Sequence, residues 1–110
     1  MNFEVSTTVN FDREFKQLAK KHSSLKADLL ELIASLKNNP FQGDDLGKEC
    51  YKVRMKISSK GRGKSAGSRV ITCVKIVKQQ IKLLSIYDKS EQSDISDAFI
   101  RQLLKDNSLL

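Results

Sequence analysis

The chain has 110 residues, 39% of them hydrophobic and 30% charged, with a net charge of +7. That length holds one domain around one core, residues 1–110, and the composition excludes a disordered tail. No apolar run approaches the roughly 20 residues that cross a bilayer, and MNFEVSTTVNFDREF lacks the basic start and apolar stretch of a signal peptide, so a cytoplasmic protein without membrane contact is expected.

FEVSTTV (3–9) is β-branched and weakly alternating and reads as a first strand. Asn10 then suits an N-cap, with a helix from Phe11 that carries Asp12 and Glu14 in its first turn and Phe11, Phe15, Leu18 and Ala19 on one face. His22 falls at the next junction, where an exposed turn or capping role is expected. A second helix begins near Ser23 or Ser24, stacks Leu25, Leu29, Leu32, Ile33 and Leu36, and stops at Asn38, Asn39 and Pro40. The two helices form a hairpin, and FQGDDLGKE (41–49) reads as a loop.

Three strands follow. In YKVRMKI (51–57), Tyr51, Val53, Met55 and Ile57 point one way and Lys52, Arg54 and Lys56 the other. SSKGRGKSAGSRV (58–70) is a basic, glycine-rich connection. RVITCVKIV (69–77), a turn through Lys78 to Gln80 and IKLLSIY (81–87) complete the sheet. DAFIRQLL closes the chain as a helix capped by Ser96, with Ile95 and Ile100 as its hydrophobic staple and Asp97 in its first turn. The order is β-α-α-β-β-β-α, an α+β fold with an antiparallel-dominated sheet packed on a helical hairpin.

The charge is concentrated. Residues 48–89 hold twelve Lys and Arg against two acids, Glu49 and Asp88, and the flanks together are net negative. Such a stretch is the footprint of a surface that meets phosphates or an acidic protein. Two carboxylates in the whole basic region argue against a paired-carboxylate mechanism. Cys50, Cys73 and His22 are not at metal-ligand spacing, and no cofactor motif is present, so neither metal nor cofactor is expected. Both cysteines fall in strands, as buried or half-buried thiols. What remains is a cation cluster of Lys52, Arg54, Arg69 and Lys89, with Arg69 beside the charged face of the preceding strand. It can hold a phosphodiester, favour a neutral lysine by like-charge repulsion and stabilise a charged phosphorane.

CYKVRM, the loop GRGKSAGSRVI and LLSIYDKSEQSDIS, in that order before a short helix, resemble the RelE/ParE toxin superfamily of bacterial type II toxin–antitoxin systems. The loop and YDKSEQSDIS are most similar to HigB-type messenger RNA endonucleases. The resemblance implies a RelE-like, microbial-ribonuclease-like fold and a toxin that cuts messenger RNA in the ribosomal A site until an acidic antitoxin covers it. It implies Lys52 as the base for the ribose 2′-OH, Arg54 and Arg69 as transition-state stabilisers and Lys89 at the leaving oxygen. Lys56, Lys60, Arg62 and Lys64 become RNA-contact candidates, with Tyr87 as a platform for a base. ParE-type relatives keep this scaffold and inhibit DNA gyrase, so protein binding stays open as the alternative.

Overall fold

Thr8 starts the first helix by accepting from the Phe11 amide at 3.1 Å through its side chain. The cap lies two residues before Asn10 because the Thr8 hydroxyl also donates to the carbonyl of Leu83, at 3.1 Å. The computed structural model describes residues 2–60 and 67–110. Its elements are β1 (Glu4–Thr7), α1 (Val9–Ala19), α2 (Leu25–Asn38), β2 (Asp44–Gly47), β3 (Cys50–Met55), a 3-10 turn at Ser58–Lys60, β4 (Ser68–Lys75), β5 (Gln80–Asp88) and α3 (Asp97–Asp106). β2 is a correction to the loop expected over 41–49. It pairs with β3 through Asp44 opposite Lys52 and Asp45 opposite Tyr51.

Among the described residues the strands form one sheet in the order β1-β5-β4-β3-β2, antiparallel except where β1 runs parallel to β5. α1 and α2 cover one face, burying Phe11, Leu18, Leu25 and Leu36 against Val53, Met55, Val70 and Leu83. α3 covers part of the other face, where Ile100, Leu103 and Leu104 pack on Cys50, Ile71, Cys73 and Leu84. Ser96 caps α3 as expected, accepting from the Phe99 amide at 3.1 Å.

A bulge in β5 decides what reaches each face. Ile71 pairs with Ser85 but the adjacent Thr72 pairs with Leu83, so Leu84 is the extra residue. Ile81 and Leu83 face α1 and α2 before the bulge, and Ile86 does so after it. The alternation has slipped by one, which turns Tyr87 toward the α3 face and leaves Asp88 on the helical-hairpin side. Beyond β1 the backbone of β5 is met by α1 instead: Asn10 Nδ2 donates to the Leu84 carbonyl at 3.0 Å and the Ile86 amide donates to Glu14 Oε1 at 3.2 Å.

Candidate nucleic-acid interface

Lys52, Arg54 and Arg69 come from adjacent strands, and the register aligns them. Arg54 lies directly opposite Arg69, and Arg69 directly opposite Tyr87, so the three form one row across β3, β4 and β5. Lys52 stands two residues along β3 on the same face. Arg54 is exposed, while Arg69 is only 6% exposed and donates to its neighbour's carbonyl, Ser68, at 3.2 Å. Arg69 therefore forms the floor of the row and Arg54 its open rim.

Lys52, expected among cations, meets a carboxylate instead. Lys52 Nζ lies 3.3 Å from Asp94 Oδ1, in the loop before α3. The unexpected strand β2 sets Asp44 across from Lys52 on its other side. Asp94 is held by its own following amide, Ile95, at 2.8 Å. That backbone hydrogen bond, then Lys52, and more weakly Lys89, hold its carboxyl below the usual range. Lys89 is exposed, and its amide donates to the Gly67 carbonyl at 3.0 Å.

The Tyr87 ring is 5% exposed and packs in the cluster under α3, so it offers no open face on which a base could stack. This corrects the expected platform: the bulge that brings Tyr87 beside Arg69 also encloses it. Burial pushes its phenol up, the Asp94 carboxylate adds to that, and Arg69 opposes it. Among the described residues the Tyr87 hydroxyl meets no hydrogen-bond partner at ordinary geometry.

Lys60 and Lys56 lie elsewhere. Lys60 Nζ straddles Asp88 at 3.2 Å from each carboxylate oxygen. His22, expected as an exposed turn residue, instead sits half-buried with Nε2 3.3 Å from Asp88 Oδ2. Asp88 also accepts from the Ser90 amide at 2.9 Å and hydroxyl at 2.7 Å. Burial works to raise this carboxyl, but the Ser90 hydrogen bonds and Lys60 outweigh it and bring it to about 2. Lys56 follows the end of β3 and turns toward Glu31 of α2, 3.9 Å away, rather than continuing the Lys52 and Arg54 row. Arg62 and Lys64 lie outside the described residues.

The ends of the basic connection are anchored by polar side chains. Asp28 of α2 accepts from the Ser58 amide at 2.9 Å and the Ser58 hydroxyl at 2.5 Å. Ser24 accepts from the Ser59 amide at 2.8 Å. Burial opposes the charge on Asp28, and the Ser58 and Ser24 hydrogen bonds overcome it to lower its pKa. At the far end Ser68 Oγ donates to the Met55 carbonyl at 3.0 Å. A Cβ on Gly67 would lie 2.5 Å from that same carbonyl, so only glycine permits this approach.

The fold and the row define a small basic α+β protein that presents arginine and lysine across the middle of an antiparallel sheet. A family model described as the RelE toxin of the RelE/RelB toxin–antitoxin system matches residues 8–108, and the chain belongs to this toxin family. Solved structures agree in fold. An arginine-to-alanine double mutant of the Escherichia coli toxin RelE in the free state is 19% identical, with a TM-score of 0.63 over 92% of this chain and 98% of that one. The isolated Escherichia coli RelE toxin is 16% identical, with a TM-score of 0.60 over 96% and 98%. A chain of the toxin–antitoxin complex RelBE2 from Mycobacterium tuberculosis is 15% identical, with a TM-score of 0.57 over 80% and 99%. No helix among the described residues is long and apolar enough to cross a membrane.

Proposed function

We propose that this toxin is a HigB-like, ribosome-dependent messenger RNA endonuclease whose chemistry is carried by Lys52, Arg54 and Arg69. The observation that carries the reading is the cross-strand row, in which Arg54 and Arg69 face each other with Lys52 two residues away. Two arginines at opposed register positions with a lysine beside them suit a phosphodiester, whose charge grows as it becomes a phosphorane. The ribose 2′-OH attacks the adjacent phosphorus, the 5′ oxygen of the next nucleotide leaves, and the products are a 2′,3′-cyclic phosphate and a 5′-hydroxyl. Once the substrate phosphate has displaced Asp94 and the ammonium has released its own proton to solvent, Lys52 takes up the 2′-OH proton. Arg54 and Arg69 are confined to electrostatic work, since arginine stays charged in proteins. Lys89, exposed at the end of β5, serves the leaving oxygen, and Arg62 and Lys64 provide further phosphate contacts.

An acidic antitoxin is the proposed partner, covering the same cations and competing with RNA for them. Its association should weaken as salt rises. The antitoxin complex of the Mycobacterium tuberculosis relative supports such a partner.

The test is a defined message translated by purified ribosomes, with cut ends read after toxin is added. Lys52→Ala and Arg54→Ala should each lower the cleavage rate by about 100-fold or more, from the loss of one preorganised group in the transition state. Arg54 is exposed, so its variant should melt within about 1 kcal/mol of the parent. Full cleavage by both variants would refute the site, and uncut message together with gyrase-dependent DNA breaks would refute the reaction.

A further inference from the structure

Cys50 and Cys73 stand apart from the row of cations, and the proposed reaction makes no use of them. They are register partners across β3 and β4, both are free thiols, and both are fully buried. The Val74 amide donates to the Glu49 carbonyl at 2.9 Å, which makes the neighbouring pair Glu49 and Val74 the hydrogen-bonded one. Cys50 and Cys73 are then the non-hydrogen-bonded pair, whose Cα atoms in an antiparallel ladder lie about 4.5 Å apart with side chains closest. That spacing falls inside the range a disulfide spans without backbone movement.

We propose that Cys50 and Cys73 form an oxidisable dithiol, which a small hydroperoxide closes into a cross-strand disulfide. The two thiols interact side chain to side chain, and in the proposed step Cys73 attacks first. The Cys73 thiolate attacks one oxygen of hydrogen peroxide, becoming a sulfenic acid while the other oxygen leaves and takes a proton to become water. The Cys50 sulfur, giving up its proton, then displaces the sulfenic hydroxyl, which departs as the second water. Two thiols and one peroxide give one disulfide and two waters: the sulfurs are oxidised and the peroxide reduced.

Ile100, Leu103 and Leu104 of α3 share the buried cluster of the two cysteines, so the proposed oxidant is a small hydroperoxide and not a bulky disulfide reagent. Closure would tie β3 to β4 two residues from Lys52 and shut residues 51–72, basic connection included, into a covalent loop. Because the tie removes freedom from the unfolded chain, the folded state gains stability.

The full-length chain is exposed to hydrogen peroxide, denatured in alkylating reagent and weighed intact. The expected product is a monomer lighter by two hydrogens with neither cysteine alkylated. Its melting midpoint should lie about 10 °C above that of the reduced form and return on treatment with dithiothreitol. Cys50→Ser and Cys73→Ser should each abolish the mass loss and the shift. A second arm refolds the chain from denaturant in glutathione and glutathione disulfide, where burial is no barrier, and should give the same oxidised monomer with native circular dichroism. Free thiols in both arms, or a bridge that joins two chains or forms only in non-native protein, would overturn the pairing. A bridge in the refolding arm alone would overturn the peroxide step.

Discussion

Replacing Asp88 by Asn should cost the protein about 2 kcal/mol at neutral pH, and that cost should shrink in acid. Asp88 is buried, accepts twice from Ser90 and holds Lys60 by both oxygens. Its carboxyl falls from the ordinary 3.8 to about 2 in the folded chain. A depressed carboxylate contributes stability that is complete above its unfolded pKa and is lost as pH falls through the folded one. That difference is worth roughly 2 kcal/mol at pH 7, about half that at pH 3 and only a small remainder at pH 2. Denaturant titrations of parent and variant at pH 7 and pH 3 measure the gap, and thermal melts at pH 7 should show a midpoint roughly 10 °C lower for the variant. A gap that stayed constant between the two pH values would show that the effect is not the charge of Asp88. A gap below about 0.5 kcal/mol at pH 7 would show that Ser90, Lys60 and His22 do not hold this carboxylate as described.

Asp94→Asn removes the counter-charge on Lys52, so binding of a short single-stranded RNA should tighten several-fold, with one more phosphate contact in its salt dependence; unchanged or weaker binding would count against displacement of Asp94. The same variant should lower the Tyr87 phenol pKa, read from its ultraviolet titration, since Asp94 is one of the groups that raise it. Thr8→Ala should destabilise by about 2 kcal/mol, because it loses both the cap on Phe11 and the bond to Leu83, whereas Thr8→Ser should recover most of that. Gly43→Ala should cost at least about 2 kcal/mol, since φ is +92° and the new Cβ would collide with the Lys52 carbonyl.

The elements with strong periodicity were legible in the sequence, and those set by distant contacts were not. The leucine stripe of α2, the alternation of β3 and the Ser96 cap depend on residues within one or two turns of each other, which a local pattern reports. The start of α1 does not: Thr8 outcompetes Asn10 because the carbonyls of β5, some seventy-five residues away, need a donor there. β2 carries DDLG, a segment of low strand propensity, and becomes a strand by pairing with β3. The bulge at Leu84 has no signature in IKLLSIYD, yet it determines that Tyr87 and Asp88 reach opposite faces.

The candidate site divides in the same way. Lys52, Arg54 and Arg69 were legible because alternation and a short connection place them on one face. Asp94 was missed because along the chain it falls in the acidic flank beyond Lys89, while in space the loop before α3 folds back onto Lys52. The Asp88 cluster joins His22, Lys60 and Ser90 from three separate segments, and only the folded chain brings them together. Lys60 thus anchors the basic connection instead of extending from it.

The most direct test of the central claim is a map of transcript ends after brief induction of the wild-type chain and of its Arg54→Ala variant. New 5′-hydroxyl ends should appear inside translated messages for the wild type, disappear when initiation is blocked, and be nearly absent for the variant. Intact transcripts under wild-type induction, with growth still arrested, would contradict that claim.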